Sequence, residues 1–223
     1  MTNLLAIDTS TEQASVALLS NHHILVKEQG SQKTHAQVLL PMIEQLMVDA
    51  ALSIQQLDGI IFGSGPGSFT GLRIACSIAK GLAYAHDIGL IPVSSLGAIT
   101  WSVREVLNDM NAPVLAVLDA RMHEVYWSYY APGHHTALEQ VSSAQEIQLA
   151  GDHSLVLAGV GIDLYRDELP ESLRGRISHQ IATVPQAAAM ITLAQHLAIQ
   201  PISAADAQPV YVRNQVTQGA SRG

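Results

Sequence analysis

The stretch DGIIFGSGPGSFTGLRIACSIAKGLAYAHD, residues 58–87, decides the fold class. Its Gly-Ile-Ile-Phe run, 59–62, is short, apolar and β-branched, the signature of a strand buried in a parallel sheet. Gly63, Gly65, Pro66 and Gly67 make a loop, and a helix runs from Phe69 to about Ala85. Strand, glycine loop and helix in this order is an α/β unit. Downstream, LIPV (90–93) reads as a further strand, and Leu96 to about Leu107 as a helix. Upstream, LLAID (4–8), ASVALL (14–19) and HILVKEQ (23–29) read as a three-stranded antiparallel meander. Between them lies THAQVLLPMIEQLMVDAAL, 34–52, where Val38, Leu39, Met42, Ile43, Leu46, Met47 and Ala50 form one wide helical stripe. Thr34 or its successor would cap that helix, and Pro41 would fall near its first turn, where a missing N–H is tolerated.

The second half opens as the first does. Leu115-Ala116-Val117-Leu118-Asp119 echoes Leu4-Leu5-Ala6-Ile7-Asp8, and EVYWSYY (124–130) follows as a β-rich stretch. A helix-like segment (144–150), a strand-to-glycine step LVLAGVG (155–161) and an amphipathic helix from about Pro185 to Leu197 come after it. The chain therefore reads as a duplicated α/β unit with its boundary near 100–112. That gives an N-terminal lobe, 1–105, and a C-terminal lobe, 106–223, whose late helix is a candidate to pack back on the first. The ending NQVTQGASRG (214–223) is polar and reads as a mobile end.

Composition narrows the function classes. The chain has 223 residues, 48% of them hydrophobic and 13% charged, which excludes a disordered chain. Nineteen acids against 11 bases give a net charge of −8, so it lacks the basic surface of an independent nucleic-acid binder. Cys76 is the single cysteine, which excludes an internal disulfide and a Cys-x-x-Cys metal motif. Met1-Thr2-Asn3 has no basic leader, and no apolar run approaches the roughly 20 residues that span a bilayer, so the expected location is cytoplasmic.

Several stretches invite chemistry and also have plain readings. Asp8-Thr9-Ser10-Thr11 between two strands can form an anion nest with a hydrated metal at the Asp, or can be an ordinary turn. GSGPGSFTGLR (63–73) lacks the Gly-Lys-Ser/Thr of a phosphate-binding P-loop and misses Gly-x-Gly-x-x-Gly. It either presents N–H groups to a phosphate or makes a tight turn with Ser68 as N-cap. Gly159 and Gly161 could line an adenosine or form a simple turn, and Arg121, following Asp119-Ala120, either crowds a phosphate or clamps one. The helix after Ser68 carries small residues, Ala75, Cys76, Ala79, Gly81 and Ala83, beside a ridge of Ile74, Ile78 and Leu82. A helix apolar on nearly every side is enclosed or covered by a partner. The ten histidines show neither His-Glu-x-x-His nor His-x-x-x-His, and their adjacent pairs make poor chelates, so no metal site is expected. Gly-x-Ser-x-Gly is absent.

IDTST near the start, THAQVLLPMI, GSGPGSFTGLRI, DARMHEVYW and the closing PVYVRNQVT (209–217) together resemble the TsaB (YeaZ) family of bacterial tRNA threonylcarbamoyladenosine biosynthesis subunits, over nearly the whole chain. The resemblance implies an actin/Hsp70/sugar-kinase-like fold of two related α/β lobes. It also implies descent alongside TsaD, whose His-x-x-x-His metal ligands follow the strand equivalent to LIPV. Ser95 and Ile99 stand in those places here, and neither replaces an imidazole. The implied role is a non-catalytic scaffold, with no cofactor of its own, in the complex that forms N6-threonylcarbamoyladenosine at position 37 of tRNAs reading ANN codons. Its implied partners are a TsaD-like catalytic subunit and, through the complex, a TsaE-like ATPase, with tRNA met only indirectly. The pairing helices would be 36–51 and 69–85, which points to Leu39, Met42, Ile43, Leu46, Met47, Ile74, Ala75, Ile78, Ala79 and Leu82. A homodimer through the same surface is expected when the partner is absent. Asp8, Thr9, Ser10, Asp119, Gly159 and Gly161 would be vestiges of nucleotide loops. The competing reading is an ATPase or phosphotransferase that holds Mg-nucleotide with Asp8, Thr9, Ser10 and Asp119. A peptidase acting on its paralogue has no motif behind it.

Overall fold

The computed structural model describes residues 2–30 and 35–212. β1 (Leu4–Asp8), β2 (Ala14–Ser20) and β3 (His23–Gln29) form the antiparallel meander. β4 (Gly59–Gly65) pairs parallel with β1, and β5 (Leu90–Ser94) parallel with β4, so the first sheet runs β3-β2-β1-β4-β5. β2 and β4 are buried along their whole length, whereas β3 alternates because it is an edge strand.

α1 (His35–Asp49) and α2 (Phe69–His86) cover one face of this sheet, packing on Leu5, Ile7, Val16, Leu18, Ile60 and Phe62. α3 (Ser95–Leu107) lies on the opposite side and is buried along its first ten residues, Ser95 to Arg104. Its Ala98 and Trp101 face the first sheet, while Leu96, Ile99 and Val103 face the second. The fully enclosed helix is thus α3, because it lies between two sheets.

The second sheet comprises β6 (Val114–Arg121), β7 (Glu124–Tyr130), β8 (Gln140–Ser142), β9 (Leu155–Gly159) and β10 (Ile177–Ala182), in the order β10-β9-β6-β7-β8. Its outer face is covered by short pieces: a turn at Ala144–Glu146, α4 (Ile162–Tyr165) and α5 (Glu171–Arg174). α6 (Ala187–His196) returns to the first sheet and packs on Leu4, Ala6, Ala17 and Ile61. Two mixed sheets joined through buried helices are the two-lobe α/β architecture of the actin/Hsp70/sugar-kinase type.

Some elements differ from the sequence reading. The helix expected over 144–150 is a single 3₁₀ turn. β8 and β10 leave no strand pattern in the sequence, because one is three residues long and the other carries a polar Ser-His-Gln centre. Pro41 sits in the second turn of the described helix, not the first. It is tolerated on the exposed side, where Gln37, whose carbonyl loses that partner, also faces water. Thr34 and the ending 214–223 lie outside the described residues. No helix among the described residues is long and apolar enough to cross a membrane.

Candidate functional site

The two hairpin tips and the outer helical face are the places where the sequence reading put function. At the first tip, Asp8 closes β1 and is fully buried. Its Oδ1 accepts from the Ser10 N–H at 3.0 Å and the Ser10 hydroxyl at 2.8 Å. Its Oδ2 has no hydrogen-bond partner among the described residues and abuts Gly63, where any Cβ would overlap the carboxylate. Burial pushes the Asp8 carboxyl up to about 7, and the Ser10 bonds pull it back only in part.

The glycine loop closes over this tip. The Thr9 hydroxyl donates to the Gly71 carbonyl at 2.7 Å, and the Ser68 N–H donates to the Ser10 carbonyl at 2.7 Å. Ser68 N-caps α2, its Oγ accepting from the Gly71 N–H at 3.3 Å. A Cβ at Gly67 would overlap Ser10 and one at Gly71 would overlap Thr9, so these glycines permit close packing of two backbones. The Ser68 and Gly71 N–H groups are thus both engaged inside the chain. The loop is the tight capped turn, and Asp8, Thr9 and Ser10 lie sealed beneath it.

The second tip is filled differently. Asp119 accepts at Oδ1 from the Arg121 N–H and from the Tyr165 hydroxyl, both at 2.8 Å, and its Oδ2 lies 3.3 Å from Arg121 Nη1. Arg121 Nη2 reaches Glu12 Oε1 at 3.7 Å, so the two hairpins touch through an exposed ion pair. Gly159 packs against the Val117 carbonyl too closely for a side chain. Gly161, at φ 77°, caps α4 under the Tyr165 ring, which would lie 3.6 Å from a Cβ there. The loss of water and the Asp119 acceptor push the Tyr165 phenol up to about 12, so it stays a donor. Asp119 and Gly161 lie side by side, and the Tyr165 ring packs over Gly161 while its hydroxyl bonds Asp119.

Ser95 and Ile99, in the places of the metal ligands, are both buried in α3, with Ile99 packed against the second sheet. His135 and His196 meet across the fold, their rings 4.5 Å apart beside Trp101.

The helical face needs the largest correction. Leu39, Met42, Ile43, Leu46, Met47, Ala75 and Ala79 are buried against the chain's own sheet, so they are not surface residues of the single chain. A wide apolar stripe on a helix faces its own core first. Ile74, Ile78 and Leu82 are half-buried at the border of that core. The large apolar residues exposed on α1 and α2 are Leu40 (50% exposed), Val48, Phe69 and Tyr84. Ala36, Leu40, Phe69, Ile74 and Ile78 line a groove of about 510 Å³ between α1 and α2.

A model of the tRNA N6-adenosine threonylcarbamoyltransferase family, TsaD, matches residues 23–205. The TsaB protein of Haemophilus influenzae is 37% identical over 96% of this chain and 94% of its own length. That of Escherichia coli is 32% identical over 96% of this chain and 95% of its own. The crystal structure of YeaZ from Pseudomonas aeruginosa superposes with a TM-score of 0.86 at 34% identity, over 95% of this chain and all of that one. The chain belongs to the TsaB family of tRNA threonylcarbamoyladenosine biosynthesis proteins.

Three features of this TsaB-family chain were invisible in its sequence. Arg104 is fully buried with no ion pair among the described residues, and donates to the carbonyls of Ala112, Ala131 and His134. Ser94, the N-cap of α3, donates to Glu139 and so ties the second half to the head of the buried helix. Burial raises the Glu139 carboxyl, against the pull of that bond. A C-terminal strap, Ile202 to Val212, bridges to Leu90, accepts from Lys80 at the Ala207 carbonyl (3.0 Å) and donates from the Val210 N–H to the Ser64 carbonyl (2.7 Å). Each is a long-range contact without a local pattern.

Proposed function

We propose that this chain is a non-catalytic scaffold of a cytoplasmic tRNA threonylcarbamoyladenosine complex, and that it pairs with a TsaD-like catalytic subunit through the outer face of α1 and α2. The observation that carries this reading is the apolar groove on that face, continuous with exposed Leu40 and Phe69. Exposed apolar surface of this kind marks an association site. The two hairpins support the same reading: Asp8 is sealed under the glycine loop, and Tyr165 and Arg121 hold Asp119. In this account nucleotide and metal belong to the partner subunits, including a TsaE-like ATPase, tRNA is met only through the complex, and a second copy of the chain covers the groove when the TsaD-like subunit is absent.

The test is light scattering on the chain alone and mixed with the TsaD-like protein of the same organism. A shift from a self-dimer to a one-to-one heterodimer is the expected result. Ile78→Glu should raise the dissociation constant at least ~100-fold while the circular dichroism spectrum stays unchanged, because a charge would be buried without a counter-ion. Pairing of Ile78→Glu as tight as the wild type would refute the reading. The competing phosphotransferase reading requires heat on titration with millimolar Mg-ATP, and none is expected.

A further inference from the structure

The groove between α1 and α2 is lined by apolar side chains, by the hydroxyl residues Thr70 and Ser77, and by one charged side chain, Arg73. Arg73 stands on its wall beside Phe69, Ile74 and Ile78. The Arg73 Cζ lies 3.6 Å from the centroid of the Phe69 ring, and its Nε donates to the Tyr211 hydroxyl at 3.0 Å. The Phe69 and Tyr211 rings are themselves 5.3 Å apart. One face of the guanidinium and its Nε–H are thereby engaged, and the Nη1 and Nη2 hydrogens remain as its donors.

Among the described residues, ion pairs form at Lys27, Arg121 and Arg166, and none at Arg73. Lys80, the other cation of α2, is turned to the strap, where it donates to the Ala207 carbonyl. Tyr211 is held in place by the same strap, through the Val210–Ser64 and Ile202–Leu90 bonds. A segment outside both sheets therefore positions one oriented guanidinium at the rim of an apolar groove.

Covering that groove strips water from Arg73; backbone carbonyls can satisfy a buried guanidinium, as they do at Arg104, but an anionic acceptor that matches its fork also neutralises the charge and offsets the loss best. We propose that the groove receives an apolar helical segment of the TsaD-like subunit carrying a carboxylate that pairs with Arg73, with Tyr211 as the positioning residue. This rests on the pairing proposed above, and it adds what the partner must present. A groove between two helices takes the ridge of a third, and a single fixed charge sets its register.

The test titrates full-length wild type, Arg73→Gln, Arg73→Lys and Tyr211→Phe into the TsaD-like subunit by calorimetry at low and high salt. Arg73→Gln should raise the dissociation constant about 30-fold or more and flatten its salt dependence. Arg73→Lys should recover only part of the loss, since an ammonium lacks the planar fork. Tyr211→Phe should cost about 5-fold, with the salt slope kept, because the charge remains and only its orientation loosens. The inference is overturned alone if Arg73→Gln binds as the wild type does while Ile78→Glu fails to pair. It is overturned in favour of a second copy of this chain if Arg73→Gln weakens self-association only. Absence of any wild-type binding overturns the pairing itself.

Discussion

In the first half the strands lie in the order β3-β2-β1-β4-β5, and in the second β8-β7-β6-β9-β10, so β1 and β6 occupy the same place in their sheets. α3 follows β5 and α6 follows β10, and both are buried on the inner side. The outer sides diverge. The first carries α1, of 15 residues, and α2, of 18, with apolar residues left over on their outward face. The second carries a 3₁₀ turn and helices of four residues, and the side chains beneath them close a core of their own. One sheet plan thus carries two different outer layers: two long helices with a groove between them on the first half, and short turns and helices on the second. The paired aspartates diverge in parallel. Asp8 is buried with an orphaned oxygen, whereas Asp119 is held by Tyr165 and Arg121 near the surface.

Three substitutions sharpen this contrast, from the largest effect to the smallest. Leu46→Ala removes a fully buried side chain beneath α1 and should cost about 3 kcal/mol in denaturant unfolding. Pairing should survive, because Leu46 faces inward. Loss of pairing without loss of stability would mean that the stripe faces outward. Asp8→Asn tests the sealed tip. The Asp8 carboxyl titrates at about 7 folded against 3.8 unfolded, so the folded state holds the extra proton between these values. Wild-type stability should therefore fall as pH rises from about 4 to about 7 and level off above, by at most about 4 kcal/mol. Asp8→Asn should lack that fall and be more stable than wild type at pH 8 by about 2 kcal/mol, as read from melting temperature against pH. Parallel pH profiles for the two proteins would show that Asp8 is open to water. Tyr165→Phe removes the hydroxyl bonded to Asp119 and should cost about 1 kcal/mol in urea unfolding. No change at all would mean that Asp119 is satisfied by solvent.

Much of the fold is legible in the sequence. The meander, β4, the glycine loop with Ser68 as cap, and the echo between LLAID and LAVLD all rest on local periodicity and turn chemistry, which act within a few residues. The site was legible only in outline. The stripe of α1 was visible, but periodicity cannot say whether a stripe faces a core or a partner. The residues that answer, Leu40 and Val48, are the apolar ones that fall outside it. Tyr165 on Asp119, Glu139 on Ser94 and Tyr211 on Arg73 join residues that no local pattern links, and only tertiary packing brings them together.

The central claim is that the outer face of the first half pairs and that of the second does not. Leu40 (50% exposed, on α1) and Leu164 (71% exposed, on α4) are matched apolar residues on those two faces. The decisive measurement is the affinity of Leu40→Glu and Leu164→Glu for the TsaD-like subunit. The account predicts a loss of about 100-fold or more for Leu40→Glu and wild-type affinity for Leu164→Glu. Equal effects at the two positions, or a loss at Leu164 alone, would contradict it.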